Sequence, residues 1–138
     1  MTVQELIDYL KQNEDIGRNK PISEVKIAIG VLKLKEAGLP EPCTDYYKLL
    51  RNFNGISNNG CYIMGINPES TFFPNLVDYN LREKENLEKN EIILGYDDAY
   101  WLVYNQNSKK YRIIDPDDYS EEGTTDNFAE AVPYILHI

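Results

Sequence analysis

Apolar residues recur at the helical period in the first half of this chain and at the strand period later on. Val3, Leu6, Ile7 and Leu10 stand at i, i+3, i+4 and i+7 and predict a helix over residues 2–13. Thr2 and Glu5 have capping-box spacing, in which each side chain accepts the other residue's backbone N–H. A polar loop holding Gly17 follows over 13–21. Residues 23–37 carry two patterns at once. Val25, Ala28, Ile29 and Leu32 make a helical stripe, whereas Val25, Ile27, Ile29 and Val31 alternate as in a strand. Length, the N-cap candidate Ser23 and the stop signal Gly38-Leu39-Pro40 favour the helix. Its apolar residues cover most of the circumference, so it is expected to be largely buried.

Beyond Pro40 and Pro42, Tyr46, Leu49, Leu50 and Phe53 form one apolar helix face, with Thr44 as its cap and Asn54-Gly55 as its end. Asn58-Asn59-Gly60 signals a turn into a short strand over 61–66. Residues 74–89 read as a charged helix with Leu76, Tyr79, Leu81 and Leu87 as its sparse apolar contacts. Three strands are then expected over 92–96, 99–105 and 110–115. The turns between them are too short for a parallel crossover, so they form an antiparallel meander. Trp101 lies in the second, whose two faces are both apolar or aromatic; it is expected to be a central strand with Trp101 in the core. An acidic loop spans 115–126. Phe128, Ala131, Val132 and Ile135 then predict a closing helix, which Pro133 should kink. Helices followed by a run of strands define an α+β class. The expectation is one domain over residues 1–138: an antiparallel sheet of four or more strands, packed with N-terminal helices, a mid-chain helix and a C-terminal helix.

Charge adds the next constraint. Among 138 residues, 14 Lys and Arg face 23 Asp and Glu, a net charge of -9. Nucleic-acid backbones demand concentrated cations, and Lys33/Lys35 and Lys109/Lys110 are only pairs, so nucleic acid is excluded as a partner. An acidic field instead suits a basic protein, because it speeds encounter and restricts choice. The chain opens directly into an amphipathic pattern rather than a leader, and no apolar run approaches the roughly 20 residues that span a bilayer. The expectation is a cytoplasmic protein without membrane contact, whose Cys43 and Cys61 are free thiols.

Catalytic inventory is thin. His137, next to last in the chain, is the sole histidine available to a Ser-His or Cys-His pair. Cys43 and Cys61 match no zinc spacing, and Gly55, Gly60 and Gly65 match no phosphate loop; turns and close backbone approach account for these glycines. The acidic stretch from Asp115 to Glu122 fails as a calcium loop, because Tyr119 and Ser120 stand where an oxygen ligand and glycine are needed. No catalytic residue, metal or cofactor is assigned, and the protein is expected not to be an enzyme. As a docking surface for a basic partner, the candidates are Asp97, Asp98, Asp117, Asp118, Glu121 and Glu122. Tyr96, Tyr100 and Tyr119 adjoin these carboxylates as candidate anchors.

Several segments together resemble the SUKH superfamily. Gly38-Leu39-Pro40-Glu41-Pro42, then Asp45-Tyr46-Tyr47-Lys48-Leu49-Leu50, then Asn54-Gly55 resemble its signature: a leucine-proline, an aspartate-tyrosine opening a helix and an asparagine-glycine closing it. Tyr62-Ile63-Met64-Gly65 is similar to the first strand of that family. Ile92-Ile93-Leu94-Gly95, Trp101-Leu102-Val103-Tyr104 and Tyr111-Arg112-Ile113-Ile114-Asp115 resemble its later strands, and residues 128–136 its closing helix. The likeness runs from about residue 21 to the end. An extra Glu-Pro-Cys-Thr precedes the tyrosine helix, and the charged mid-chain helix matches in position only. The resemblance implies a protein-binding domain without catalytic residues. It would be an immunity protein that neutralises a cognate polymorphic toxin, often a nuclease, or alternatively a regulatory or scaffolding module related to fungal regulators of cell-wall synthesis. The oligomeric state stays open.

Overall fold

The computed structural model describes residues 1–66 and 74–138. Its helices are α1 Val3–Gln12, α2 Glu24–Glu36, α3 Thr44–Leu50, α4 Leu76–Glu83 and α5 Phe128–Leu136. Its strands are β1 Gly17–Arg18, β2 Ile56–Asn58, β3 Cys61–Ile63, β4 Glu91–Tyr96, β5 Trp101–Asn105, β6 Lys110–Ile114 and β7 Glu121–Thr125. Among the described residues the strands form one antiparallel sheet in the order β1 to β7, a meander interrupted between β1 and β2 by the α2–α3 excursion and between β3 and β4 by α4. The class is α+β, as the segment order requires.

The predicted devices at the helix ends are largely present. Thr2 Oγ1 accepts from Glu5 N and Glu5 Oε1 accepts from Thr2 N, both at 3.1 Å, closing the capping box. Ser23 caps α2. The cap of α3 is Cys43 rather than Thr44, and no side chain bonds there; Thr44 is already the first helical residue. Asn59 and Gly60 both adopt positive φ (49° and 83°), the backbone that a two-residue hairpin loop between β2 and β3 demands.

Cross-strand pairs sort the side chains onto two faces of the sheet. Leu102, Tyr104, Tyr111 and Ile113 share one face, where Tyr111 meets Phe128 of α5 edge-on at 5.7 Å. Tyr96, Trp101, Val103, Arg112 and Ile114 share the other, covered in part by α4, whose Tyr79 packs edge-on against Trp101 at 6.4 Å. Both faces are therefore core, and Trp101 is buried at the centre. The Asn54-Gly55 pair has a clear structural use: Asn54 is buried and its Oδ1 accepts from Ile66 N at 2.8 Å. A Cβ on Gly65 would lie 2.5 Å from both Asn54 oxygens, so only glycine permits this approach.

Several expectations are corrected. The 13–21 loop contributes β1, too short to show a period. β2 adds a strand before the 61–66 segment, whose strand itself ends at Ile63. The acidic stretch 115–126 is not all loop, because β7 hydrogen-bonds to β6 although Glu-Glu-Gly-Thr-Thr has no apolar alternation; an edge strand with polar sides needs none. Finally, α2 is not largely buried. It turns Ile27, Gly30, Val31 and Leu34 inward and leaves Val25, Ala28, Ile29 and Leu32 exposed. Gly30 selects that inward face, since a Cβ there would lie 2.4 Å from Ile66 Cγ2, and its absence lets α2 sit close to the core. In α4, Leu76 is buried as expected, but Leu81 is exposed and Val77 and Asn80 take up the contact instead.

Candidate protein-binding site

β4 ends where β5 begins, and β6 ends where β7 begins, at one end of the sheet. Tyr96 pairs with Trp101, Trp101 with Ile114, and Ile114 with Glu121. The 97–100 turn and the 115–120 loop therefore emerge side by side and bring the candidate residues from two sequence segments together. Tyr100 Oη links the two by donating to Glu122 Oε1 at 2.9 Å.

Each connection is fixed by its own carboxylates. Asp97 Oδ1 accepts from Ala99 N at 2.9 Å and Tyr100 N at 2.7 Å, while its Oδ2 meets His137 Nε2 at 2.8 Å. Burial pushes the Asp97 carboxyl up, but the Ala99, His137 and Tyr100 contacts outweigh it and hold the group below the ordinary range. In the neighbouring loop Asp115 Oδ1 accepts from Asp117 N and Asp118 Oδ1 from Ser120 N, each at 2.9 Å. These two Asx turns set the path that places Tyr119 at φ 61°.

Tyr119 folds back over the sheet. Its hydroxyl donates to Glu91 Oε1, and Glu88 N donates to that hydroxyl at 3.4 Å. Glu91 is fully buried, and Arg112 Nη1 donates to its other oxygen at 2.8 Å. Arg112 also reaches Glu121 Oε1 through Nε at 2.7 Å and lies 5.9 Å from the centre of the Tyr119 ring. One guanidinium thus joins β4, β6, β7 and the loop.

The nine candidates separate by exposure. Asp98, Asp117, Asp118, Glu121 and Glu122 face solvent. The Asp97 side chain is only 5% exposed and committed to its turn and to His137, and Tyr119 is committed to Glu91. Tyr96 and Tyr100 are half-buried. Tyr96 stacks on Tyr79 at 5.1 Å and meets Tyr62 at 5.4 Å, and burial pushes its phenol up to about 12. Cys43 and Cys61 are free and buried. Among the described residues no three His, Cys, Asp or Glu side chains converge as metal ligands, and no helix is long and apolar enough to cross a membrane.

Sequence reasoning missed Glu91 and Arg112. Their signal was a charge inside an otherwise apolar strand pattern, opposite in sign on two strands of one meander. The outward apolar face of α2 was missed too, although two stripes on one helix announced it.

The molecule is thus an α+β domain presenting exposed carboxylates and half-buried tyrosines at one end of its sheet. No known family profile matches the chain, and no curated protein is significantly similar to it.

Proposed function

We propose that this protein is a non-enzymatic binding domain that acts as an immunity protein, covering the basic surface of a cognate toxin domain with the acidic end of its sheet. One observation carries the reading: the exposed Asp98, Asp117 and Asp118 stand at that end on turns tied down by Asp97, Asp115 and Asp118, beside the exposed Glu121 and Glu122 at the start of β7. Charges held in place lose little freedom on binding, so more of their interaction appears as affinity. They would steer a cationic partner to this end, where Tyr96 and Tyr100 are positioned to be desolvated as anchors. A nuclease toxin needs cations for its own substrate, and an acidic inhibitor can occupy them. The SUKH resemblance supports the same reading.

Affinity capture of the tagged protein from its own cell extract at low salt tests this directly. The expected catch is one basic toxin domain, whose growth inhibition the protein relieves when both are expressed. Recovery of the cell's own envelope-synthesis proteins, with no toxin among them, would replace immunity by regulation.

A further inference from the structure

β1 closes one side of the sheet with only two residues, whereas β7 closes the other with five and pairs with β6 alone among the described strands. Backbone groups of an antiparallel strand point alternately to its two sides, so every second residue of β7 turns its N–H and C=O away from β6. The register shift lies at the Glu121 end and leaves Gly123, Thr124 and Thr125 in regular pairing with Ile113, Arg112 and Tyr111. Neither Pro nor Lys blunts this edge. Beside it a groove of about 240 Å³ lies between β7 and α5. Ile113 and Ala131 are its buried floor, with Gly123 and Thr125 on one side and Glu130 and Tyr134 on the other. Tyr134 is 55% exposed, and a Cβ on Gly123 would meet nothing within 4 Å, so the groove is open to a side chain arriving from outside.

Charge is concentrated on this part of the chain. Residues 18–51 hold seven Lys and Arg against four Asp and Glu, a net of +3, whereas the remaining residues hold seven against 19, a net of -12. Within that remainder, residues 113–138 hold seven Asp and Glu and no Lys or Arg. The cations of β6, Lys110 and Arg112, alternate onto the other face of the sheet. Glu121 is paired to Arg112 at 2.7 Å. Glu122 and Glu130, which line the groove, accept from neutral hydroxyls instead, Tyr100 Oη at 2.9 Å and Thr125 Oγ1 at 3.0 Å. Among the described residues neither has a cationic partner, so both keep their charge.

We propose that β7 and the groove beside it form a second docking site, which takes an extended basic segment of a partner protein as an eighth strand. Main-chain hydrogen bonds to the outward groups of β7 supply affinity, and alternate side chains supply specificity. Every second side chain enters the groove, where the head of a Lys or Arg meets Glu122 and Glu130 and its stem packs along Tyr134. A helix fits less well, because it satisfies its own backbone and leaves the edge unpaired. A second copy of this chain fits less well too, because joining β7 to β7 brings two sets of Glu122 and Glu130 to one seam with no cation on that face. The site adjoins the acidic end but does not depend on the immunity reading, since a basic segment of any protein meets its requirement.

The test is a displayed library of random eight-residue peptides, selected on the intact protein at physiological salt. Sequences with Lys or Arg at alternate positions and no central Pro should be enriched. Methylating alternate backbone nitrogens of an enriched peptide should weaken it about tenfold or more in one phase and little in the other, because only every second N–H faces the edge. Gly123→Phe fills open space in the groove and should also weaken binding about tenfold or more. Glu122→Gln with Glu130→Gln keeps both acceptors and removes both charges, and should weaken it about threefold or more. Equal response to the two methylation phases, enrichment without basic residues, or binding indifferent to Gly123→Phe overturns the proposal, as does a library that yields no binder. Sedimentation as a dimer that Gly123→Phe dissociates overturns it as well and makes a second copy the occupant. No toxin enters the measurement, so its outcome is separate from that of the immunity reading.

Discussion

Glu91 and Arg112 show what one buried charge demands of its surroundings. A carboxylate with no exposure is tolerable only when its oxygens are occupied, here by Arg112 and the Tyr119 hydroxyl. Arg112→Met leaves the carboxylate buried without its cation and should cost about 3–5 kcal/mol. The double change Glu91→Leu with Arg112→Met should recover most of that loss. Urea unfolding followed by the fluorescence of Trp101, the single tryptophan, measures both; a cost under about 1 kcal/mol for Arg112→Met would show that the cluster is not holding the loop. Asp97 makes a prediction in pH. Its carboxyl is held below the ordinary 3.8, so the folded state binds its proton later than the unfolded chain does. The stability this contributes is present above that ordinary value and disappears as the pH falls through the lower, folded value. Asp97→Asn should therefore be less stable than the parent at neutral pH, and the gap should close between about pH 5 and about pH 2. A gap constant over that range would mean that the charge of Asp97 contributes nothing.

Asn80 dictates how two elements meet. β3 pairs with β4 only at Tyr96 and Gly95, which leaves the first half of β4 without a strand on that side. Asn80, fully buried in α4, fills the place: its Oδ1 accepts from Ile93 N at 2.7 Å and its Nδ2 donates to Ile93 O at 2.8 Å. One side-chain amide thereby imitates a strand neighbour. Asn80→Ala strands both backbone groups away from water and should cost about 2–3 kcal/mol. Amide exchange at Ile93 should quicken more than at Val103 in the adjoining strand, and equal protection of the two would contradict this role. Gly95 acts at the same junction, since a Cβ there would lie 2.3 Å from Tyr62 O.

At the scale of the molecule, the outstanding feature is the separation of charge between a mildly basic helical excursion and a strongly acidic remainder. Long-range steering depends on that separation and is screened over about 10 Å at 0.1 M salt. Asp98→Lys with Asp117→Lys changes only exposed side chains, without touching the Tyr100–Glu122 or Arg112–Glu121 contacts. Association with a basic partner at the acidic end should slow about tenfold at low salt and much less at high salt, with dissociation little altered. Stopped-flow kinetics across a salt series checks it, and an unchanged association rate at low salt would remove this end from the interface.

Helix positions, capping box, the turn at Asn59-Gly60, meander and α+β class were legible in the sequence because each rests on local spacing: a period, a cap three residues away or a glycine where φ must be positive. The acidic candidates were legible as composition. What the tertiary structure alone decided was direction and commitment. Both stripes of α2 are apolar, and only contact at Gly30 with Ile66 determines which one is covered. Asp97 and Asp98 are neighbours of the same type, yet the turn consumes one and exposes the other. Tyr119 looks like a surface anchor until β6 brings Arg112 to Glu91, and those two are 21 residues apart. Local patterns set which elements form; pairing between distant residues sets which side chains remain free to act.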